Sequence, residues 1–221
     1  ILKRTKTIIN LGGFEWKRSK LNFVSRNFVK LCDYFAITSA SCIIVDNQVL
    51  KRYVERNFNK KPILIEYGGN HVSRLKVTKE IKTKYHFLNK KYHLSISRAQ
   101  EDNNLHIVLE AYSKMPNKTL VLISNYNSFN YGIKLKDKYR KFKNIYLVDA
   151  IYDLNILDVI RSNCELYIHT HKLCGTAPSL VEIMSLGKPL FSYNALTNIY
   201  TTENKAKYFS NVSDLINLNR C

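Results

Sequence analysis

The sequence predicts an α/β fold built on doubly wound parallel sheets. Three observations carry this. From about residue 85, short apolar or β-branched runs alternate with segments of helical spacing, the succession of a parallel sheet wrapped by helices. The first 84 residues repeat the alternation on a smaller scale. The 221 residues are 45% hydrophobic, enough for a sizeable core in one large domain or two small ones.

The opening ILKRTKTIINL reads as a strand already in progress, and Gly12-Gly13 breaks it. A helix over 21–35 leads to a strand at 42–45, and a helix over 47–57 leads to a strand at 63–66. Tyr67-Gly68-Gly69-Asn70 marks the exit from this unit. Residues 68–91 are polar and basic with few core positions, as expected of a connection between domains. Strands follow at 92–97, 119–124, 145–148, 165–169 and 189–193, each a short run suited to burial on both faces. Helices fill the gaps at 104–113, 131–142, 153–163 and 178–186; Leu105, Val108, Leu109 and Tyr112 recur at helical spacing. DLINLNRC stops in mid-helix, so the chain reads as truncated at both ends, with domains at 1–84 and 85–221.

Composition excludes several classes. No run of about 18 apolar residues exists to span a membrane, and no signal-peptide pattern follows Ile1. The five cysteines (32, 42, 164, 174 and 221) are odd in number and form no CxxC pair, which predicts reduced thiols in the cytoplasm. A P-loop, GxSxG, HExxH and GxGxxG are all missing, which lowers the prior for the enzyme classes that use them. Net charge is +18 and uneven: residues 1–91 hold 20 Lys/Arg and 6 Asp/Glu, residues 92–221 hold 15 and 11. A basic first part suits nucleic acid, an anionic membrane surface or a phosphate-bearing substrate. Dispersed, solvated lysines account for it equally well.

The chemistry concentrates at HTHKLCGTAPSLVEIMSLGKP, residues 169–189. A strand runs into a loop with His169 and His171, then Gly175-Thr176, and Pro178 opens a helix carrying Glu182. The first turn of a helix has free N–H groups and partial positive charge, which suit a phosphate. Glu182, one turn inside, can accept from the sugar hydroxyls of a nucleotide. Arg98 follows a strand directly, where its guanidinium can fork onto phosphate oxygens, and Asn103 and Asn104 open the next helix. The two histidines suit contact with a sugar or diphosphate, or a structural hydrogen bond. As a zinc pair they lack a third ligand nearby, so no metal is expected. GGFEWKRSK (12–20) is either a turn with a buried Trp or a cationic loop facing a phosphate or acceptor.

With these constellations in this order, the chain resembles bacterial glycosyltransferases of the GT-B type, family 4, in the rhamnosyltransferase-like subgroup of capsule and O-antigen synthesis. The segments that carry the resemblance are GGFEWKRSK (12–20), SRAQEDNN (97–104), LVDAIYDLN (147–155), the 169–189 stretch and TTENKAKYF (201–209). The resemblance implies two Rossmann-like domains facing a cleft, the N-terminal one incomplete, with a nucleotide-diphosphate sugar on the C-terminal one. It implies diphosphate contact for Arg98, phosphate-facing amides at Gly175 and Thr176, the ribose at Glu182 and the base near Ile151. Asn103, Asn104, His169, Ser179 and Leu180 join the donor site, and Arg98, His171 and Glu182 are its catalytic set. Glu15, Lys17 and Arg18 fall on the acceptor side. No cofactor or metal is implied. The reaction would pass a sugar, rhamnose in this subgroup, to a lipid-linked saccharide with retention of configuration. The basic N-terminal part would then lie peripherally against the anionic inner leaflet.

Five positions depart from the family pattern: Cys174 replaces a glutamate, Ala177 an asparagine, Thr170 a glycine, Asn103 a lysine and Ile199 an arginine. Two other readings are a degenerate, inactive remnant and a basic nucleic-acid-binding α/β protein. The charge lies outside the motif-bearing half and no nucleic-acid signature occurs, so nucleic acid is not the expected partner.

Overall fold

A computed structural model describes residues 5–220. The first unit has three parallel strands, β1 (Ile8–Leu11), β2 (Cys42–Val45) and β3 (Ile63–Leu64), in the order β1-β2-β3. Helices α1 (Phe23–Ser39) and α2 (Gln48–Phe58) connect them. Asn22 and Asn47 start these helices by accepting from Ser25 N–H and Val49 N–H, the usual work of an N-cap asparagine. Ile37, Ile43, Val45, Leu50 and Val54 form the core of this unit. Helix α1 contributes little else to it: Phe23, Val24, Phe28, Leu31 and Phe35 are exposed.

The connection that the composition marks as poor in core positions packs closely on the second unit. It contains α3 (Lys79–Lys84) and a 3-10 turn at His86–Asn89. Phe87 and Leu88 are buried, and Val72, Leu75, Val77, Ile81 and Tyr85 lie against the same cluster. Its apolar residues are separated by lysines and serve a neighbour distant in sequence, so local composition conceals them.

The second unit is a six-stranded, fully parallel sheet in the order β6-β5-β4-β7-β8-β9. Its strands are β4 (His93–Ile96), β5 (Leu120–Ser124), β6 (Ile145–Asp149), β7 (Leu166–His169), β8 (Leu190–Tyr193) and β9 (Lys207–Phe209). Helices α4 (Leu105–Ser113), α5 (Asn130–Tyr139), α6 (Leu154–Asn163), α7 (Pro178–Ser185), α8 (Leu196–Thr201) and α9 (Val212–Leu218) complete it. Successive strand residues point to opposite faces. Leu120 and Leu122 therefore join Leu166 and Ile168 in a cluster with α4, α5 and α9. Val121 and Ile123 join Leu94 and Tyr167 in a cluster with α6, α7 and the 72–88 segment. Helices on both faces make the sheet doubly wound, as predicted.

Gly132 shows how closely α5 sits. A Cβ there would lie 2.3 Å from the Tyr126 carbonyl oxygen and 2.8 Å from Ala99 Cβ. Gly132→Ala is expected to cost about 1–3 kcal/mol through overpacking, read as a lower urea midpoint. An unchanged midpoint would contradict this packing.

Candidate functional site

The strand order reverses between β4 and β7, and crevices in open α/β sheets form beyond the carboxyl ends of strands at such a point. A cleft of about 460 Å³ lies there, walled by Ser97, Arg98, Asn125, Ile151, His171 and Glu182. Pro178 and Ser179, the first residues of α7, reach the same cleft. Arg98, Ile151, His171, Ser179 and Glu182, singled out in the sequence, thus come together from three loops and the helix α7.

Glu182 is held by groups that local sequence does not reveal. Arg161 Nη2 donates to its Oε2 at 2.5 Å, and His71 Nε2 lies 3.2 Å from its Oε1. Arg161 is buried and also pairs with Asp158 at 3.2 Å. Asp158 in turn accepts from Ser73 N–H at 2.9 Å. One guanidinium therefore serves two carboxylates and fixes Glu182 at the cleft wall. Asp158 and Arg161 are readable as an i,i+3 pair on a predicted helix, but their burial and their partner on α7 are not. His71 and Ser73 lie in the connection that composition marks as polar.

Arg98 is exposed at the end of β4, and its guanidinium has no hydrogen-bond or ion-pair partner among the described residues. Arg18 approaches from the first unit. It forms a two-pronged pair with Glu15, at 2.7 and 2.8 Å, which holds the Glu15 carboxyl below its usual range. His171 is pushed down to about 4, first by burial and then by the charges of Arg98 and Arg18, so its imidazole is neutral near pH 7. Its Nε2 lies 2.8 Å from Ser97 Oγ. Lys17 turns away, its ammonium 4.3 Å from the Phe14 ring centre and 5.2 Å from that of Trp16. Of the three residues expected on the acceptor side, Arg18 acts on His171 and Glu15 feels the charge of Arg98.

The other residues expected at the donor site are engaged within the protein. The Gly175 N–H donates to the Gly12 carbonyl at 3.0 Å, so this amide is taken by the first unit and is not free for a phosphate. A Cβ on Gly175 would fall 2.1 Å from Asp46 Oδ1, so the position requires glycine for close approach. Thr176 Oγ1 donates to the Asp46 carbonyl at 2.6 Å and accepts from Asn47 Nδ2 at 3.2 Å. Gly175 and Thr176 join the two units, a contact across about 130 residues that no local pattern exposes.

Asn103 Nδ2 donates to the Arg98 carbonyl at 2.9 Å, and Asn104 Nδ2 to the Thr170 carbonyl at 3.2 Å. Both asparagines are buried, and they brace the loops that present Arg98 and His171. Leu180 is buried, with its N–H bonded to the Ala177 carbonyl at 3.0 Å.

His169 is 1% exposed and lies behind His171, with ring centres 4.6 Å apart. Asn198 lies against its ring, yet neither ring nitrogen reaches a hydrogen-bonding geometry. Burial, followed by the neighbouring His171, holds His169 well below the usual imidazole range. The expectation that no third metal ligand lies nearby is also corrected. Cys174 comes around the loop so that one ligand atom from each of His169, His171 and Cys174 lies within 4.8 Å of the others. The Cys174 thiol is pushed up to about 12, first by burial and then by Asp46.

Residues 3–70 match a family described as a domain of unknown function, DUF1972. Among curated proteins none matches the sequence. Several solved structures share the architecture at low identity. Sucrose-phosphate synthase from Thermosynechococcus elongatus superposes with a TM-score of 0.71 at 15% identity, over 92% of this chain and 53% of that one. The Anabaena HepE protein, solved with UDP and glucose, gives 0.70 at 16% identity, over 99% and 62%. The UDP-forming α,α-trehalose-phosphate synthase from Burkholderia xenovorans, solved with glucose-6-phosphate, gives 0.72 at 11% identity, over 98% and 59%. The likeness shows the fold, a GT-B arrangement of two parallel α/β units. The chain spans between 53% and 62% of the length of these three.

Proposed function

We propose that the cleft binds a nucleotide-diphosphate sugar and that the chain carries the donor-binding part of a glycosyltransferase. The observation that supports this most is the convergence, at one switch-point cleft, of unpaired Arg98, the first turn of α7 and Glu182 held by Arg161. A diphosphate would lie between the Arg98 guanidinium and the N-terminus of α7, where Pro178 and Ser179 open the helix. Glu182 would accept from the ribose hydroxyls, and Ile151 with exposed Tyr152 would pack on the base. As the bond between sugar and diphosphate breaks, negative charge grows on the leaving diphosphate. The Arg98 cation and the amides of the helix N-terminus would stabilise that charge. His171, neutral and directed at Ser97, would face the sugar end.

The finer reading extends the family resemblance: rhamnose as the sugar, a lipid-linked saccharide as acceptor, retention of configuration, and action at the cytoplasmic membrane face. In that reading residues 1–84 form the acceptor-side domain and residues 85–221 the donor-side domain. No helix among the described residues is long and apolar enough to cross a membrane. Peripheral contact is supported by the basic bias of residues 1–91 and by exposed Phe23, Val24, Phe28 and Leu31 beside Arg26 and Lys30 on α1.

Calorimetric titration with UDP tests the donor site. The native chain is expected to bind, and Arg98→Ala to weaken binding by about tenfold to a hundredfold, the worth of a charge-assisted pair. Equal affinity in the two proteins would remove Arg98 from the site.

A further inference from the structure

We propose that His169, His171 and Cys174 form a three-ligand site for a zinc-class divalent cation, behind the phosphate end of the cleft. One ligand atom from each lies within 4.8 Å of the other two. Two imidazoles and a thiolate suit zinc or cobalt(II) better than the oxygen-preferring magnesium and calcium. The independent observation is His169, a 1% exposed imidazole neither of whose nitrogens reaches hydrogen-bonding geometry among the described residues; the Asn198 side chain against the ring can serve only one of the two. A buried polar group left without a partner is costly, and a metal ion supplies one.

The surrounding contacts prepare the ligands. Ser97 Oγ donates to the Arg98 carbonyl at 3.3 Å, so it can accept from His171 Nε2 at 2.8 Å. That tautomer carries its proton on Nε2 and leaves Nδ1 with a free lone pair, the arrangement by which an outer hydrogen bond orients a metal-binding histidine. Asn198 Nδ2 donates to the His171 carbonyl at 2.9 Å and fixes the backbone of the same loop. Asp46 has a buried Oδ1 without a partner among the described residues and faces Gly175, next to Cys174. With the thiolate it balances the incoming charge against Arg18 and Arg98.

Metal–nitrogen and metal–sulfur bonds of about 2.0–2.3 Å in a tetrahedron separate ligands by about 3.3–3.8 Å. The three side chains therefore close by about 1 Å on binding. Cys174 loses its thiol proton to solvent as the sulfur–metal bond forms. Three protein ligands leave one position of the tetrahedron open, and His171 places that position beside the cleft.

Cobalt(II) chloride, added to the whole chain without nucleotide, tests the site apart from any donor binding. One equivalent is expected to produce visible ligand-field bands and a near-ultraviolet thiolate-to-cobalt band, both abolished by added zinc. Cys174→Ser should remove the thiolate band and weaken cobalt binding at least tenfold, while Cys164→Ser, at a buried thiol elsewhere, should keep both. Circular dichroism verifies the fold of each variant. If Cys174→Ser does not fold, zinc should instead protect Cys174 of the native chain from alkylation, as read by peptide mass. No thiolate band, a band that survives in folded Cys174→Ser, or no zinc protection would overturn the proposal.

Discussion

Arg161→Leu is expected to destabilise the protein by about 3–5 kcal/mol. The guanidinium is buried between Asp158, at 3.2 Å, and Glu182, at 2.5 Å, and both carboxylates are nearly closed to solvent. Leucine fills part of the space and leaves two buried acids facing each other. What remains is the Ser73 N–H, at 2.9 Å from Asp158, and the exposed His71, at 3.2 Å from Glu182, neither a fixed positive charge between the two acids. Arg161→Lys keeps the charge but has no planar fork to span two carboxylates, so it should recover part of the loss. For a chain of this size the leucine variant should melt about 10 °C lower. Its affinity for UDP should also fall, because Glu182 loses the group that aims it. Unfolding of Arg161→Leu at the native urea concentration would show that the pair is not buried as described.

Acid is the second strong perturbation. Burial pushes His93 down to about 4, with the charge of Lys118 contributing, and His171 reaches about 4 through burial and two arginines. His169 is displaced in the same direction. The unfolded chain takes up protons on these groups near 6.5, and the folded chain does not. Between pH 6.5 and about 4 the unfolded state thus holds more protons, and stability falls as pH falls. At pH 5 each of His93 and His171 removes about 2 kcal/mol that is fully present above pH 6.5. Asp46 and Asp33 act oppositely, because burial raises their carboxyls and low pH relieves them. Urea unfolding at pH 7 and pH 5 should show the net loss. His93→Gln, able to keep a polar contact with Tyr112, should remove about 2 kcal/mol of the difference. A pH difference unchanged in that variant would place the titration elsewhere.

What could be read from sequence was what short-range pattern encodes. Strand 120–124 is a run of apolar residues, and the sheet uses both of its faces, so its existence and its parallel setting are legible together. The junction from His169 through Pro178 is likewise local. A strand ends, a loop follows and proline opens a helix, which puts Glu182 one turn inside. Contacts between distant segments were hidden. Gly175 and Thr176 look like free phosphate ligands until Gly12, Asp46 and Asn47 arrive from the first unit. His169 reads as a strand-end residue suited to a sugar, a diphosphate or a structural hydrogen bond, and only the folded sheet shows how fully it is enclosed. Arg161 is legible only as an i,i+3 neighbour of Asp158 until α7 presents Glu182. Cys174 reads as a departure from a family pattern, and its meeting with two histidines depends on how the loop turns back.

We propose that the switch-point cleft holds a nucleoside diphosphate. A crystal structure of the chain grown with UDP tests it most directly. Diphosphate oxygens are expected within hydrogen-bonding reach of the Arg98 guanidinium and the Ser179 amide, with the ribose hydroxyls on Glu182 and the base beside Ile151. A nucleotide bound elsewhere, or a cleft left empty at saturating UDP, would contradict it.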